Sequence, residues 1–389
     1  MLKVAGLSNQ KLVSPQLDGL RGAASLWVVL FHYLFFLNAA SHLSLGIFQS
    51  FVSKGYLGVD VFFILSGFII SYNYTDFFQE NLNYSNFSLF IKNRIARIYP
   101  SYFLALIVLL FFFLFGSLKP YAANFAVFDL KSFFLNLFMI QSWFFQYSQW
   151  SWNLPGWSVS VEWILYVIFP CLPLLFFKNR SLIFLFLVAG IAYFLLFYLI
   201  KTNEQFFIMK GMEFGIARGG LEFVIGCSLY LVSNKIEMLF SKNYTGDFLG
   251  LLAIIGIIFT TNFDYNCANE LSIFFITLLV PSLFLSKKWL KAIFSFSWMG
   301  RLGKISYTIY VLQFPYQIIS NHLFKHAPTN PAYVLHLAAY ASQVALLVIM
   351  SSIVYVFYER PIREMIKKLK LPENKKSSLL DPKLTDQFL

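Results

Sequence analysis

Long blocks of apolar residues, separated by short polar stretches, follow one another along almost the whole chain. Ten of these blocks approach or exceed the length that an α-helix needs to cross the hydrocarbon core of a bilayer. We therefore predict an all-α polytopic membrane protein with about ten transmembrane helices and short interfacial helices. The predicted spans are residues 20–39, 56–73, 101–117, 158–177, 181–200, 216–233, 247–263, 270–286, 304–323 and 335–358.

One further apolar block, residues 132–147, is short and rich in aromatic side chains. We interpret it as an interfacial or re-entrant helix, because it is too short for a full span. If it did cross the bilayer, the number of spans and the topology would change. Residues 1–17 are polar and lack the apolar core of a signal peptide, so we expect the first span to be retained as a signal anchor.

The composition excludes several soluble classes. Of the 389 residues, 58% are apolar and 12% are charged, whereas soluble domains have about a quarter charged residues. A disordered chain, a coiled coil and an ordinary soluble enzyme are therefore excluded. The three cysteines, Cys171, Cys227 and Cys267, lack metal-binding spacing, so we predict neither a metal site nor a disulfide framework.

The formal charge of +12 is also found in nucleic-acid-binding proteins, so the positions of the basic residues decide its meaning. With a cytoplasmic N-terminus and ten spans, 23 of the 30 Lys and Arg residues fall in cytoplasmic segments, as the positive-inside rule requires. The charge thus reflects orientation, and we predict no nucleic-acid partner. We expect both termini in the cytoplasm, with a transmembrane domain over residues 1–363 and a cytoplasmic polar tail over 364–389.

Ionisable residues inside a span cost about 2.5–3.5 kcal/mol each on insertion scales, so each one needs a physical reason. Arg21 and His32 are eleven residues apart, which places them on one helical face with a rise of about 16 Å between them. Arg21 is then near the cytoplasmic end and His32 beyond the middle of the membrane. A snorkelling arginine and a hydrogen-bonded interior histidine are the alternative explanation of this pair.

Two carboxylates, Asp60 and Glu162, each fall about one turn inside the predicted outer end of a span. The sequence thus predicts that His32, Asp60 and Glu162 lie at similar depth in the outer half of the membrane. An imidazole beside a carboxylate is typical of acid/base catalysis, because the carboxylate fixes the tautomer and raises the basicity of the ring. A structural polar network is the other interpretation.

Charged residues mark two further segments. Lys92, Arg94 and Arg97 precede the third span, where they either anchor the helix or bind phosphate, since arginine forks match phosphate oxygens. Arg218 and Glu222 are four residues apart and are predicted to form a structural ion pair with each other.

Seven segments, taken in order, resemble the membrane-bound acyltransferase-3 family, the bacterial sugar and polysaccharide O-acyltransferases. They are LDGLRGAASLWVVLFHY, which has the family's Arg-x10-His signature at Arg21 and His32, then GYLGVDVFFILSGFII, FIKNRIARIYPSYF, WSVSVEWILYVIFP, ARGGLEFVIG, LGKISYTIYVLQFP and YERP. The resemblance covers about residues 16–363, so the predicted transmembrane domain would be the acyltransferase-3 domain. Some members also have a C-terminal extracytoplasmic hydrolase-like domain, which we do not expect within this sequence.

One position departs from the family pattern. Gln313 stands where members commonly have histidine. Glutamine donates and accepts hydrogen bonds but does not shuttle protons. A mechanism that requires a second imidazole at this position is therefore not expected.

The resemblance implies transfer of an acyl group, most simply acetyl, from cytoplasmic acyl-CoA to a sugar hydroxyl. The acceptor would be an extracytoplasmic glycan such as lipopolysaccharide O-antigen, and the enzyme would lie in the bacterial inner membrane. Acetyl-CoA is then a donor substrate, and no permanently bound cofactor is expected. The partners would be acyl-CoA, the glycan acceptor and the lipid bilayer.

The candidate residues take roles in this reaction. His32 is the expected general base, oriented by Glu162 or, as second choice, by Asp60. Transfer through an acyl-His32 intermediate is equally compatible with the sequence. Tyr307 is a candidate donor to the oxyanion. The residues expected to bind the phosphates of coenzyme A are Arg21, Arg94 and Arg97.

Two other functions compete with acyl transfer. Intramembrane ionisable residues would also suit a proton-coupled transporter or flippase of a lipid-linked sugar, but the sequence has no inverted repeat and no paired broken helices. A lipid-linked-sugar glycosyltransferase would need acidic residues in the first outer loop, and residues 40–55 contain none. We therefore favour the acyltransferase.

Overall fold

The structure, a computed structural model, describes residues 14–41, 46–80, 82–116, 128–143, 151–175, 181–202, 214–237, 244–262, 267–323 and 333–369. These residues are almost entirely helical. In chain order the α-helices are α1 Pro15–Ser41, α2 Ile47–Ser53, α3 Gly58–Glu80, α4 Tyr84–Leu114, α5 Leu130–Leu137, α6 Gly156–Ile168, α7 Leu172–Leu175, α8 Leu182–Thr202, α9 Gly215–Ile236, α10 Thr245–Asn262, α11 Ala268–Leu285, α12 Trp289–Phe294, α13 Ser297–Leu323, α14 Tyr333–Val354 and α15 Arg360–Lys368.

Eight helical segments within the described ranges are long and apolar enough to cross a membrane. They are Gly55–Gln79, Tyr84–Leu114, Gly156–Leu174, Leu182–Thr202, Gly215–Ile236, Thr245–Asn262, Ala268–Leu285 and Leu337–Lys368. Each coincides with a predicted span, which confirms a helical multi-pass membrane protein. The two remaining predicted spans fall on α1 and α13, which have 27 residues each. The count of ten and the cytoplasmic termini stay predictions.

The apolar block at 132–147 forms a short helix rather than a span. Helix α5 has eight residues and rises only about 12 Å, and residues 144–147 lie outside the described part of the chain. Its N-terminus is capped by Asp129, whose side chain accepts a hydrogen bond from the backbone N–H of Ser132. Such a cap satisfies one of the donors that the first turn leaves unpaired.

Helices α1 and α13 run parallel and in contact. Gly22 meets Gly303 about two turns from the start of each helix. Ten residues further along α13 the Tyr33 hydroxyl donates to the backbone oxygen of Gln313 at 3.3 Å. The almost equal spacing on both helices shows that they advance together. His32, next to Tyr33, is therefore level with Gln313.

Helix α3 runs antiparallel to α1 and parallel to α9. Its first turn packs at Gly58 against Ala24 and Val28 of α1. On its other side Gly67 and Gly226 allow α3 and α9 to approach at backbone distance, because a Cβ built on Gly226 would lie 2.0 Å from the Ile64 carbonyl oxygen. Small residues allow such close helix packing in membranes.

The C-terminal span continues without a break past the predicted end of the transmembrane domain. Helix α14 passes through a π-helical turn, Tyr355–Glu359, into α15, which extends to Lys368. The boundary predicted between 363 and 364 thus falls within a helix, and residues 370–389 of the predicted tail lie outside the described residues. Glu359, which is 2% exposed, accepts hydrogen bonds from Ser101 and Thr308, and so joins this helix to α4 and α13.

We expect Gly226→Ala to destabilise the protein, because the added methyl group would force α3 and α9 apart. Overpacking of a tight contact costs about 1–3 kcal/mol, which should lower the melting temperature of the detergent-purified protein measurably. Gly190→Ala on α8 is the matched control, since a Cβ there meets no atom within 4 Å. Equal melting temperatures for the two variants would contradict the close approach.

Candidate active site

The orientation of the His32 ring is set by its own helix. Its Nδ1 lies 2.8 Å from the carbonyl oxygen of Val28, one turn earlier. Because a carbonyl oxygen only accepts, Nδ1 holds a proton, and in the neutral ring the lone pair is on Nε2. The side chain is half-buried and lies edge-on to Phe31, with ring centroids 5.2 Å apart. Nε2 is therefore the basic and nucleophilic atom of this histidine.

The predicted spacing of Arg21 and His32 requires an unbroken helix between them. Helix α1 is continuous from Pro15 to Ser41, so the two side chains share one face with a rise of about 16 Å between them. Arg21 is ion-paired with Asp18 on the same helix, Nη1 to Oδ1 at 3.0 Å. The prediction that Arg21 and His32 share one helical face is confirmed.

Asp60 pairs with Arg218 of α9 rather than with His32. The guanidinium donates from Nε to Oδ1 at 3.0 Å and from Nη2 to Oδ2 at 2.6 Å, a two-pronged contact, and both side chains are at most 1% exposed. The predicted contact between Arg218 and Glu222 is present but longer, at 3.7 Å. The expected pair thus becomes a buried triad in which Asp60 is the main partner.

Glu162 lies away from His32, nearer the other end of α1. Its carboxylate accepts hydrogen bonds from Ser66 at 2.8 Å and from Tyr166. Ser66 is six residues beyond Asp60 along α3, a rise of about 9 Å. Since α3 is antiparallel to α1, that rise leads toward Arg21.

The prediction that His32, Asp60 and Glu162 share one depth is therefore wrong. The prediction assumes that the start of each apolar block marks the outer membrane surface. Helix α6, however, begins inside the bundle, where the Ser158 hydroxyl lies 2.6 Å from that of Tyr310 on α13. Glu162, one turn further along, is accordingly deeper than its place in the apolar block suggests.

The predicted phosphate-binding arginines converge. Electrostatic interactions link Arg21 with Arg97 and Glu162, and Arg94 with Glu162. We call Arg21, Arg94 and Arg97 the basic cluster. With Asp18 and Glu162 nearby, three cations face two carboxylates, so an excess positive charge remains.

Arg94 and Arg97 have donor groups that no described residue satisfies. The Arg94 Nη2 donates to the Tyr74 hydroxyl at 3.2 Å, and its guanidinium lies over the ring of Tyr166. Its buried Nε has no partner within the described ranges. No hydrogen bond or ion pair joins Arg97 to the described part of the chain. Free guanidinium donors beside excess positive charge are the features of an anion site.

Two other candidates are occupied by contacts within the protein. Tyr307 donates its hydroxyl proton to the Ile98 carbonyl at 2.7 Å, and it is six residues before Gln313 on α13, so it does not face an oxyanion beside His32. Lys92 donates to the backbone oxygens of Lys367 and Leu369 at 2.9 and 3.1 Å, which ties α4 to α15. Among the described residues, no group of three or more His, Cys, Asp or Glu side chains could hold a metal ion.

Comparison with known proteins identifies the family of this chain. A family model described as an acyltransferase domain matches residues 14–358. The peptidoglycan O-acetyltransferase OatA of Listeria monocytogenes is 22% identical over 377 residues, 90% of this chain and 56% of that protein. The O-acetyltransferase OatA of Staphylococcus aureus is 25% identical over 392 residues, 91% of this chain and 58% of that protein. The chain thus spans under two thirds of the length of these relatives, and no solved structure matches it.

The buried triad predicts an order of stability among variants. Arg218→Met should be the most damaging change, because it leaves Asp60 and Glu222 buried without their guanidinium, and breaking a buried pair costs about 3–5 kcal/mol. Asp60→Asn should cost less, since Glu222 remains as a partner for Arg218. Thermal unfolding of the purified variants measures the order, and equal or reversed melting temperatures would contradict it.

Proposed function

We propose that the chain, which belongs to the acyltransferase family whose model matches residues 14–358, moves an acetyl group from cytoplasmic acetyl-CoA to a sugar hydroxyl of an extracytoplasmic glycan. The observation that supports this most is helix α1. It joins the basic cluster at one end to a histidine about 16 Å further along, whose Nε2 has no hydrogen-bond partner among the described residues. An elongated donor with phosphates at one end and a thioester at the other fits that arrangement.

The basic cluster would hold the donor. Phosphate oxygens of coenzyme A satisfy the free donors of Arg97 and the buried Nε of Arg94, and they neutralise the excess positive charge. The pantetheine arm then extends along α1 and brings the thioester carbonyl to His32. Acyl-CoA is the donor substrate in this proposal, and no resident cofactor is needed.

His32 would act as the general base. As the sugar oxygen attacks the thioester carbonyl, Nε2 removes the hydroxyl proton. When the tetrahedral intermediate collapses, the carbon–sulfur bond breaks and the same proton passes to the sulfur of coenzyme A. The Val28 carbonyl stabilises the imidazolium through Nδ1–H. The Val28 carbonyl thus takes the orienting role that we expect from the sequence for Glu162 or Asp60.

A two-step route is equally compatible with this geometry. Nε2 attacks the thioester, coenzyme A leaves, and the acetyl group is held on His32 until the sugar hydroxyl displaces it. Rapid-mixing kinetics with acetyl-CoA alone separates the routes, because only the two-step route releases one thiol per enzyme before the acceptor is added.

The acceptor we propose is a cell-surface glycan outside the cytoplasmic membrane. One relative's name includes peptidoglycan, whereas the sequence resemblance suggested lipopolysaccharide. Mass spectrometry of both glycan fractions from cells with and without the gene identifies which loses O-acetyl groups. A transporter or flippase of a lipid-linked sugar gains no support from the family match.

We expect His32→Ala to abolish acceptor-dependent release of thiol from acetyl-CoA, because no other base occupies the position of Nε2. The assay uses purified protein in nanodiscs with a soluble oligosaccharide acceptor and a thiol-reactive dye. The variant should still elute as a monodisperse peak and bind coenzyme A. Near-normal turnover by this folded variant would overturn the proposed mechanism.

Arg97→Ala should weaken coenzyme A binding by about tenfold or more, since a charge-assisted hydrogen bond is worth about 1.5–3 kcal/mol. Isothermal titration calorimetry with coenzyme A measures the change. Arg301→Ala is the matched control, because Arg301 is an exposed cation at the start of α13. If both variants lose affinity equally, general positive charge and not the basic cluster binds the donor.

A further inference from the structure

Helix α13 has a row of buried polar groups that have no hydrogen-bond partner among the described residues. Gln313, Gln317 and Ser320 are 3%, 6% and 2% exposed. Both side-chain atoms of Gln313, the Nε2 of Gln317 and the Oγ of Ser320 form no hydrogen bond with the described part of the chain. At positions i, i+4 and i+7 they lie within an arc of about 60° on one face. We call these three residues the polar seam.

Contacts on either side of the polar seam show where it faces. Tyr310 is about one turn before Gln313 and two turns before Gln317. Its hydroxyl lies 2.6 Å from that of Ser158 at the start of α6. Around the helix on the other side, Tyr316 contacts Tyr33 of α1, with ring centroids 6.3 Å apart. The polar seam therefore faces the space between α1 and the beginning of α6.

His32 faces this interior space as well. Leu30 accepts a hydrogen bond from Tyr340 of α14, Phe31 packs on Tyr56 before α3, and Tyr33 faces α13. At about 100° per residue, His32 lies between the directions of Phe31 and Tyr33 and on the side away from Leu30. Its ring is thus directed between α3 and α13, at the level of Gln313.

The energetic cost of this arrangement indicates a ligand. An unsatisfied buried polar group destabilises the folded protein, and the row concentrates several on one face. The unpaired atoms are amide and hydroxyl groups, and no member of the row is charged. Amides both donate and accept, as sugar hydroxyls do, so a neutral, hydroxyl-rich ligand would satisfy all of them.

We propose that the polar seam binds the acceptor sugar and presents one of its hydroxyls to the Nε2 of His32. This inference rests on the proposed acyl transfer and adds the location and chemical class of the acceptor. Ser320 is about 10 Å beyond Gln313 along α13, on the side away from the basic cluster. A neutral glycan therefore reaches His32 from the end opposite the donor.

The test uses Gln317→Leu and Ser320→Ala in full-length protein in nanodiscs, with chitotetraose and maltotetraose as neutral acceptors. Thiol release from acetyl-CoA gives the KM for each acceptor, and calorimetry gives the Kd of coenzyme A. We expect the acceptor KM to rise about tenfold in Gln317→Leu and the coenzyme A Kd to stay unchanged. Without sugar, this variant should melt no lower than wild type, because leucine replaces an unpaired amide.

Ser351→Ala on α14 is the matched control, since Ser351 is 0% exposed and its hydroxyl also has no partner among the residues that the structure describes. Acceptor KM values within twofold of wild type in both seam variants, or the same rise in Ser351→Ala, would overturn the proposal.

If wild type released no thiol with either acceptor, the proposed acyl transfer would fail by itself. Direct titration of the two oligosaccharides would then decide: binding by wild type that Gln317→Leu loses supports the polar seam, and absence of binding refutes it.

Discussion

The ion pair of Asp60 and Arg218 is the interaction on which the interior of this bundle depends. Neither charge is exposed to solvent, and a lone charge in such surroundings is strongly disfavoured, so α3 and α9 are held in the one register that joins them. Helix α3 then packs on α1 at Gly58 and provides the Ser66 hydroxyl to Glu162. The depth of the other ionisable groups follows from this register.

Polar groups of different chemical character lie at successive positions along the bundle. The basic cluster has excess positive charge at one end of α1, and His32 lies about 16 Å away with its Nε2 unpaired in the described part of the chain. The polar seam continues beyond it with uncharged amides and a hydroxyl. Because α1 and α13 run parallel and Tyr33 bonds to Gln313, the neighbouring His32 lies at the same level as Gln313. In the proposed reaction, this order separates the anionic donor from the neutral acceptor on the two sides of one imidazole.

Much of the molecule was predictable because its signals are local. Apolar length predicted eight spans that coincide with helices, and the eleven-residue spacing placed Arg21 and His32 on one face. Pairing across the fold had weaker signals. Asp60 and Arg218 are 158 residues apart, and only the need to balance two intramembrane charges connects them. Gln313 departs from a family pattern in the sequence, but whether its side chain is paired depends on neighbours from other helices.

The sequence by itself determined the helices, their membrane character, the α1 face with Arg21 and His32, and the family. Those features depend on hydrophobic length and helical periodicity, which act within one segment. Only the tertiary structure decided the depths of Asp60 and Glu162, the partner of Arg218 and the orientation of His32 by Val28 in place of a carboxylate. The reason is that α6 begins inside the bundle, level with Tyr310. Depth there is set by packing between helices, and the count of residues along one helix contains no information about it.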